Sequence, residues 1–199
     1  MNLQLPDRPA LHDAPARLLL DPLAYVHPDR MRLAAGLGNP RQRAVVNRLL
    51  LDQVATVGSI RDVPDHLLLR HWQQWPYICA LLGAQVLKAE LVWRGRLLRL
   101  PLPVRRFMAL SWPVMPSTPM AAGGASMGGD SLLAVQATGL ALVLAWQQQA
   151  PADLQACMRL LFPPDLDACF DAPRRPVTVG ELFLISQAID YAKNYPYRL

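Results

Sequence analysis

The side chains able to do chemistry are few and scattered. The histidines are His12, His27, His66 and His71, and the cysteines are Cys79, Cys157 and Cys169. His66 and His71 lie five positions apart, so they do not share a helix face as an i, i+4 zinc pair does. No Cys-x-x-Cys pair or carboxylate completes a metal set, and a lone histidine is usually structural. The string Gly124-Ala125-Ser126-Met127-Gly128 has the letters of a nucleophile elbow. An elbow needs a strand before it and a helix after it, and here a proline-rich stretch precedes. No glycine-rich loop ends in Lys-Ser or Lys-Thr, so no phosphate loop is expected. Glu90 and Glu181 are the only glutamates, and Asp165 and Asp167 fall in a surface turn. We therefore expect no catalytic residues, no cofactor and no metal.

Arginine is the more informative residue type. The chain carries a formal net charge of +5, yet Lys88 and Lys193 are its only lysines. Arginine suits planar, two-pronged pairing with carboxylate or phosphate and tolerates interfaces. Arg94, Arg96, Arg99, Arg105 and Arg106 cluster between Trp93 and Trp112, interrupted by Leu97, Leu98, Leu100 and Leu102. That alternation reads as a charged edge for binding a protein partner. The alternative is a basic helical protein that tracks a nucleic-acid backbone with stacked aromatics. A basic stripe alone is weak evidence for that, and the bland reading is a solvated face around a core tryptophan.

These residues need elements to carry them, and the pattern is helical throughout. At 199 residues and 52% hydrophobic, the chain can bury the core of one domain. Asn39-Pro40 starts a helix to about residue 57, with Val46, Leu50, Val54 and Val57 on one face. Asp62 and Pro64 start another, which Pro76 must kink or end. A run from Tyr77 to Trp93 carries Ile78, Leu81, Leu82, Val86, Ala89 and Trp93 at helical spacing, with Gly95 as its stop. A strand over 96–102 is weakly signalled, and a short helix is expected from Pro103 to Trp112. Asp130 caps a helix to about Gln149. Its purely apolar part is shorter than the ~20 residues a bilayer needs, so it is a core helix and not a membrane span. Pro151 opens a further helix through Leu154, Met158 and Leu161. Thr178-Val179-Gly180-Glu181 is a capping box, followed by a buried stripe of Leu182, Ile185, Ile189 and Ala192. The expected fold is all-α: a single helical domain over 21–199, with room for minor short strands. Residues 1–20 form a flexible arm anchored at its end by Leu18-Leu19-Leu20, and 113–130 form one long flexible Pro/Gly/Met loop.

One stretch stands apart, Asp21-Pro22-Leu23-Ala24-Tyr25-Val26-His27-Pro28-Asp29-Arg30. Asp21 can cap a turn that Pro22 opens. His27 precedes Pro28 and so leaves the helical region, and Pro28 can open a second turn with Asp29 near its positive end. Two stiff turns of this kind fix where Tyr25 and Val26 point, which gives them a structural job against the helical body. Downstream, Trp72 and Trp75 cluster at the break before Pro76. The odd cysteine count and the lack of a basic, apolar leader suggest a reducing cytoplasm.

Several segments, in order, resemble the SctK family of type III secretion accessory proteins, whose members include OrgA and MxiK. They are Asp21 to Arg30, Arg41 to Leu51, Leu69 to Pro76, Leu81 to Gly83, Leu87 to Leu91, Leu160 to Pro164 and Ala188 to Pro196. The family signature residues Asp21, Pro22, Tyr25, His27, Pro28, Trp72 and Pro76 all fall within these segments. Residues 95–102 match only loosely, and the Pro/Gly/Met loop is this chain's own. The resemblance implies a mainly helical, non-enzymatic adaptor of the cytoplasmic sorting platform of the injectisome. It implies a position peripheral to the inner membrane, without membrane insertion or nucleic acid. The implied partners are the forkhead-associated-like cytoplasmic domain of the SctD-type ring protein and the SctQ-type platform protein. Through SctQ the chain would connect to the SctL-type stalk and the SctN-type ATPase.

Overall fold

The computed structural model describes residues 18–31, 39–52, 67–112, 131–148, 150–197 and 199. Within these the regular structure is helical, with no strand: α1 Pro40–Asp52, α2 Leu67–Arg70, α3 Trp75–Val86, α4 Lys88–Trp93, α5 Leu102–Ala109, α6 Ser131–Trp146, α7 Ala152–Arg159, α8 Asp167–Asp171 and α9 Val179–Asn194. The all-α expectation holds. The 96–102 stretch forms a 3-10 turn over Arg96–Arg99 and no strand. The arm before Leu18, the helix start at Asp62-Pro64, the Asp130 cap, Ser126 and the 113–130 loop lie outside the described residues.

The core is organised on α3. Trp75, Tyr77, Ile78, Cys79, Ala80, Leu81, Leu82, Gly83, Ala84 and Gln85 are all buried, so this helix is enclosed on every side. Pro76 sits in its first turn, where a missing N–H costs nothing. The sequence break at Trp75-Pro76 is thus a helix start, fed by a 3-10 turn over Trp72–Gln74. α6 lies across α3 at very close range. A Cβ on Gly83 would sit 1.8 Å from the Val135 carbonyl oxygen, and one on Gly139 would sit 1.8 Å from that of Cys79. Val135, Leu140, Val143 and Leu144 of α6 complete this packing. The apolar run that invited a membrane reading is therefore a core helix, and no described helix is long and apolar enough to cross a bilayer.

α5 and α9 close the sides of this pair. Buried Gln85 donates from Nε2 to the Phe107 carbonyl at 2.7 Å, and the Tyr191 ring of α9 packs at a 59° tilt against the Phe107 ring with centroids 5.0 Å apart. Gln155 of α7 donates from Nε2 to the carbonyls of Gln147 and Ala150, both at 3.0 Å, and so caps the frayed end of α6. α1 begins at Pro40 as expected, with Asn39 Oδ1 accepting from the Arg41 N–H at 2.9 Å. Its Leu51 is buried, while Val54 and Val57 lie outside the described residues.

Two further helices differ from the sequence reading. The run Tyr77 to Trp93 is broken at Leu87, whose φ of −89° and ψ of 10° leave the helix. Its N–H is shared between the Gly83 and Gln85 carbonyls, a tightened end of α3. The apolar stripe loses its phase there. Leu91 stays buried, but Trp93 is 88% exposed. In α9 the buried stripe is Leu184, Ile185, Ala188, Ile189 and Ala192, and Leu182 faces outward at 42% exposure.

Candidate docking surface

The Asp21–Arg30 stretch is fastened on three sides. Pro22–Ala24 forms a 3-10 turn, but the Asp21 carboxylate does not cap it. The Ala24 N–H is taken by the Asp21 main-chain oxygen at 2.9 Å, and the Leu23 N–H by Asn47 Oδ1 at 3.0 Å. With those amides satisfied, the carboxylate turns to α1 and accepts from Asn47 Nδ2 at 2.6 Å and Arg43 Nη2 at 3.4 Å. Tyr25 is buried, its ring meets Trp72 edge to face at 5.4 Å, and its hydroxyl donates to the Leu19 carbonyl at 3.0 Å. Burial pushes the Tyr25 phenol well above its ordinary range, so it stays a donor.

The second turn forms at Pro28, as the sequence indicates. Pro28 opens a simple turn and no helix, closed by the Arg30 N–H on the His27 carbonyl at 3.0 Å. His27 donates its main-chain N–H to Leu160 O at 2.8 Å, and its Nδ1 accepts from the Asp29 N–H at 3.2 Å. Burial lowers the imidazole below its ordinary value, with Arg30 acting in the same direction and Asp29 opposing, so the acceptor form is favoured. Arg30 then reaches across to the far segment. Its Nε donates to Phe162 O at 2.6 Å, Nη1 donates to Asp167 Oδ2 at 3.2 Å, and Nη2 meets the other Asp167 oxygen. This two-pronged pair is the strong form of an arginine–carboxylate contact. The segments 21–30, 69–76 and 160–164, which lie far apart in the chain, thus meet in one knot. Tyr25, Trp72, His27 and Arg30 hold it together.

Tyr25→Phe keeps the ring and removes the hydroxyl, leaving the Leu19 carbonyl without its donor. We expect a loss of about 1–2 kcal/mol and a melting point a few degrees lower, with partner affinities unchanged. A variant that melts like the parent yet no longer binds its partners would make the stretch a contact surface instead.

Burial pushes the Cys157 thiol up to about 11, and burial raises Cys79 and Cys169 as well, so none is a nucleophile near neutrality. Among the described residues no group of His, Cys, Asp or Glu could hold a metal ion. A shallow groove of about 550 Å³ runs between α2, the end of α6 and α9, bordered by Leu67, Trp146, Leu182, Ile185, Asp190 and Lys193.

The arginines divide between two elements. Arg94, Arg96 and Arg99 surround Gly95, while Arg105 and Arg106 belong to α5 beyond the extended Leu100-Pro101 link. Arg94, Arg99 and Arg106 are exposed, and Arg96 and Arg105 are half-buried. Arg94 reaches Glu90 one turn back at 3.6 Å, an exposed pair of little energetic weight. The sequence reading set Trp93 beside them but also on the apolar stripe of its helix; the structure exposes it at 88%, with Val92 at 55% and Leu98 at 75%. Gly95, two positions after Trp93, was the available signal, because a helix about to end need not keep its last aromatic on the core face.

The profile of the bacterial type III secretion apparatus proteins OrgA_MxiK matches residues 16–194. This chain belongs to the OrgA/MxiK family. The oxygen-regulated invasion protein OrgA of Salmonella typhimurium strains LT2 and SL1344 is 30% identical to it over 185 residues, covering 90% of this chain and 87% of the relative. No solved structure matches. The OrgA/MxiK match spans the 21–30 stretch, both tryptophans before Pro76 and the capped last helix. The family resemblance carried by Asp21 to Arg30 therefore coincides with the knot that joins the ends of the fold.

Proposed function

We propose that this OrgA/MxiK-family protein is a non-enzymatic adaptor of the cytoplasmic sorting platform of a type III secretion system. It links the cytoplasmic domain of the SctD-type inner-membrane ring protein to the SctQ-type platform protein, at the cytoplasmic face of the inner membrane. The stalk and ATPase are reached through SctQ. The family match over nearly the whole chain carries this reading. The architecture supports it: the signature residues are spent on internal fastening, and the exposed chemistry is arginine, tryptophan and leucine. Exposed aromatics and arginines are the residue types that anchor protein interfaces. Arg94, Arg96, Arg99, Arg105 and Arg106 are proposed as the charged edge, which makes association weaker at high salt.

Calorimetric titration of the purified chain with each partner tests the proposal. Both the SctD-type cytoplasmic domain and the SctQ-type protein are expected to bind, and to bind together in a ternary complex. A chain that binds only one of them, or that binds them only in competition, is not a link.

A further inference from the structure

The turn around Gly95 has a feature that the charged edge alone does not explain. Gly95 has φ 63° and ψ 9°, a left-handed conformation that suits glycine, and it reverses the chain between α4 and the Arg96–Arg99 turn. On one side of the reversal Leu91 and Leu100 are buried and Leu97 packs against the core. On the other side Val92, Trp93 and Leu98 project, and Trp93 is the most exposed of the large apolar side chains described. The result is a knuckle, pinned to the core by leucines behind and apolar in front. Its front is flanked by Arg94 and Arg99, and Glu90 is the carboxylate that pairs there.

Resting on the adaptor reading, we infer that this knuckle is the primary anchor for one protein partner of the platform. Trp93, with Val92 and Leu98 beside it, enters an apolar recess, and Arg94 and Arg99 meet carboxylates on the rim of that recess. Charge complementarity argues for an acidic rim, because residues 88–99 carry the exposed Arg94 and Arg99 and the half-buried Arg96 against one carboxylate, Glu90. A partner carboxylate can take Arg94 from Glu90 at small cost, since that pair is exposed and loosely spaced. Because the knuckle is already held by Leu91, Leu97 and Leu100, little backbone freedom is lost on docking. A membrane surface is the less favoured occupant. Interfacial binding scales with the apolar face that is inserted, and three side chains on a reversal make a small one.

The test measures affinity for the purified SctD-type cytoplasmic domain and the SctQ-type protein with the parent chain, Trp93→Ala, Arg94→Glu with Arg99→Glu, and Leu182→Ser in the α2–α6–α9 groove as a comparison. Because Trp93 is exposed, thermal melts should confirm that the variants remain folded. Trp93→Ala is expected to weaken one association by at least about tenfold and leave the other within about twofold. The double charge reversal is expected to weaken the same association and to flatten its salt dependence. Acrylamide quenching of the parent should fall on binding that partner, and the fall should be absent in Trp93→Ala.

If the parent binds both partners and Trp93→Ala does the same with parental affinity, the knuckle is overturned and the adaptor reading stands. If the parent binds neither, both fall together. If Leu182→Ser weakens both associations and Trp93→Ala neither, the groove replaces the knuckle. If Trp93→Ala instead loses only binding to vesicles of phosphatidylglycerol and phosphatidylethanolamine, the knuckle is a membrane contact and the inference is wrong.

Discussion

Gly139→Ala should lower the melting temperature by roughly 10 °C, and Gly83→Ala by a similar amount, because each adds a methyl where the opposing backbone already sits. The Cβ of either alanine lies 1.8 Å from a carbonyl oxygen of the facing helix, far inside van der Waals contact. What it meets is main chain, so no side chain can swing aside. The helices must separate, and the packing of Val135, Leu140 and Val143 against α3 loosens with them. We expect a cost of about 3–5 kcal/mol from overpacking and lost contact. Alanine's better helix propensity returns at most about 1 kcal/mol, so the clash wins. The double variant is the sharper measurement. Once the helices have separated for one methyl, the second adds less, so the two costs should sum to more than the double variant shows. Gly139→Ala with a parental melting curve would mean that the two helices do not cross this closely.

Much of the fold follows from rules that act over a few residues. The start at Pro40, the reversal at Gly95 and the capping box at Thr178 depend on neighbours in the chain, and all stand where the sequence puts them. What escapes the sequence is contact across the chain. Nothing in the local sequence pairs Gly83 with Gly139, and only the crossing shows them to be one feature. Asp21 has the look of a cap, but its carboxylate is claimed by Asn47 and Arg43, because the turn's own amides are already satisfied. The same limit governs the docking surface. The arginines and their neighbour Trp93 are legible, but Trp93 turns to solvent only because the bend at Leu87 shifts the apolar stripe out of phase. The ordered resemblance gave the family, while the meeting of the 21–30, 69–76 and 160–164 segments had to be seen in space.

Glu181→Ala should cost about 3 kcal/mol, and for a chain of this size roughly 6–12 °C in melting temperature, since it breaks a buried pair and a cap together. The sequence explains Glu181 as half of a capping box, and it is: Thr178 Oγ1 accepts from the Glu181 N–H at 3.3 Å, and Glu181 Oε2 accepts from the Thr178 N–H at 2.9 Å. The carboxylate is nevertheless 0% exposed, which a cap alone does not require. Arg175 accounts for the burial. It donates from Nη1 to Oε2 at 2.9 Å and from Nη2 to Oε1, a two-pronged pair with the guanidinium partly in solvent. That exposure keeps the expected cost near the lower end for buried pairs. Burial by itself would push the Glu181 carboxyl up. The hydrogen bonds from Arg175 and Thr178 together outweigh it and hold the group below the ordinary glutamate range. The folded state therefore binds this proton less readily than the unfolded chain. The contribution is complete above the ordinary glutamate value and is lost as pH falls through the lower, folded one. Glu181→Gln isolates this term, because it keeps the side chain's size and one acceptor. The stability gap between parent and Glu181→Gln should be widest near neutral pH and close steadily in acid. A gap that stays constant from about pH 7 to about pH 3 would show that the carboxylate's charge contributes nothing there. Because Leu182 follows directly on Glu181 and borders the groove, a loosened start of α9 should also disturb that groove, while the Gly95 knuckle, held by Leu91, Leu97 and Leu100, keeps its shape.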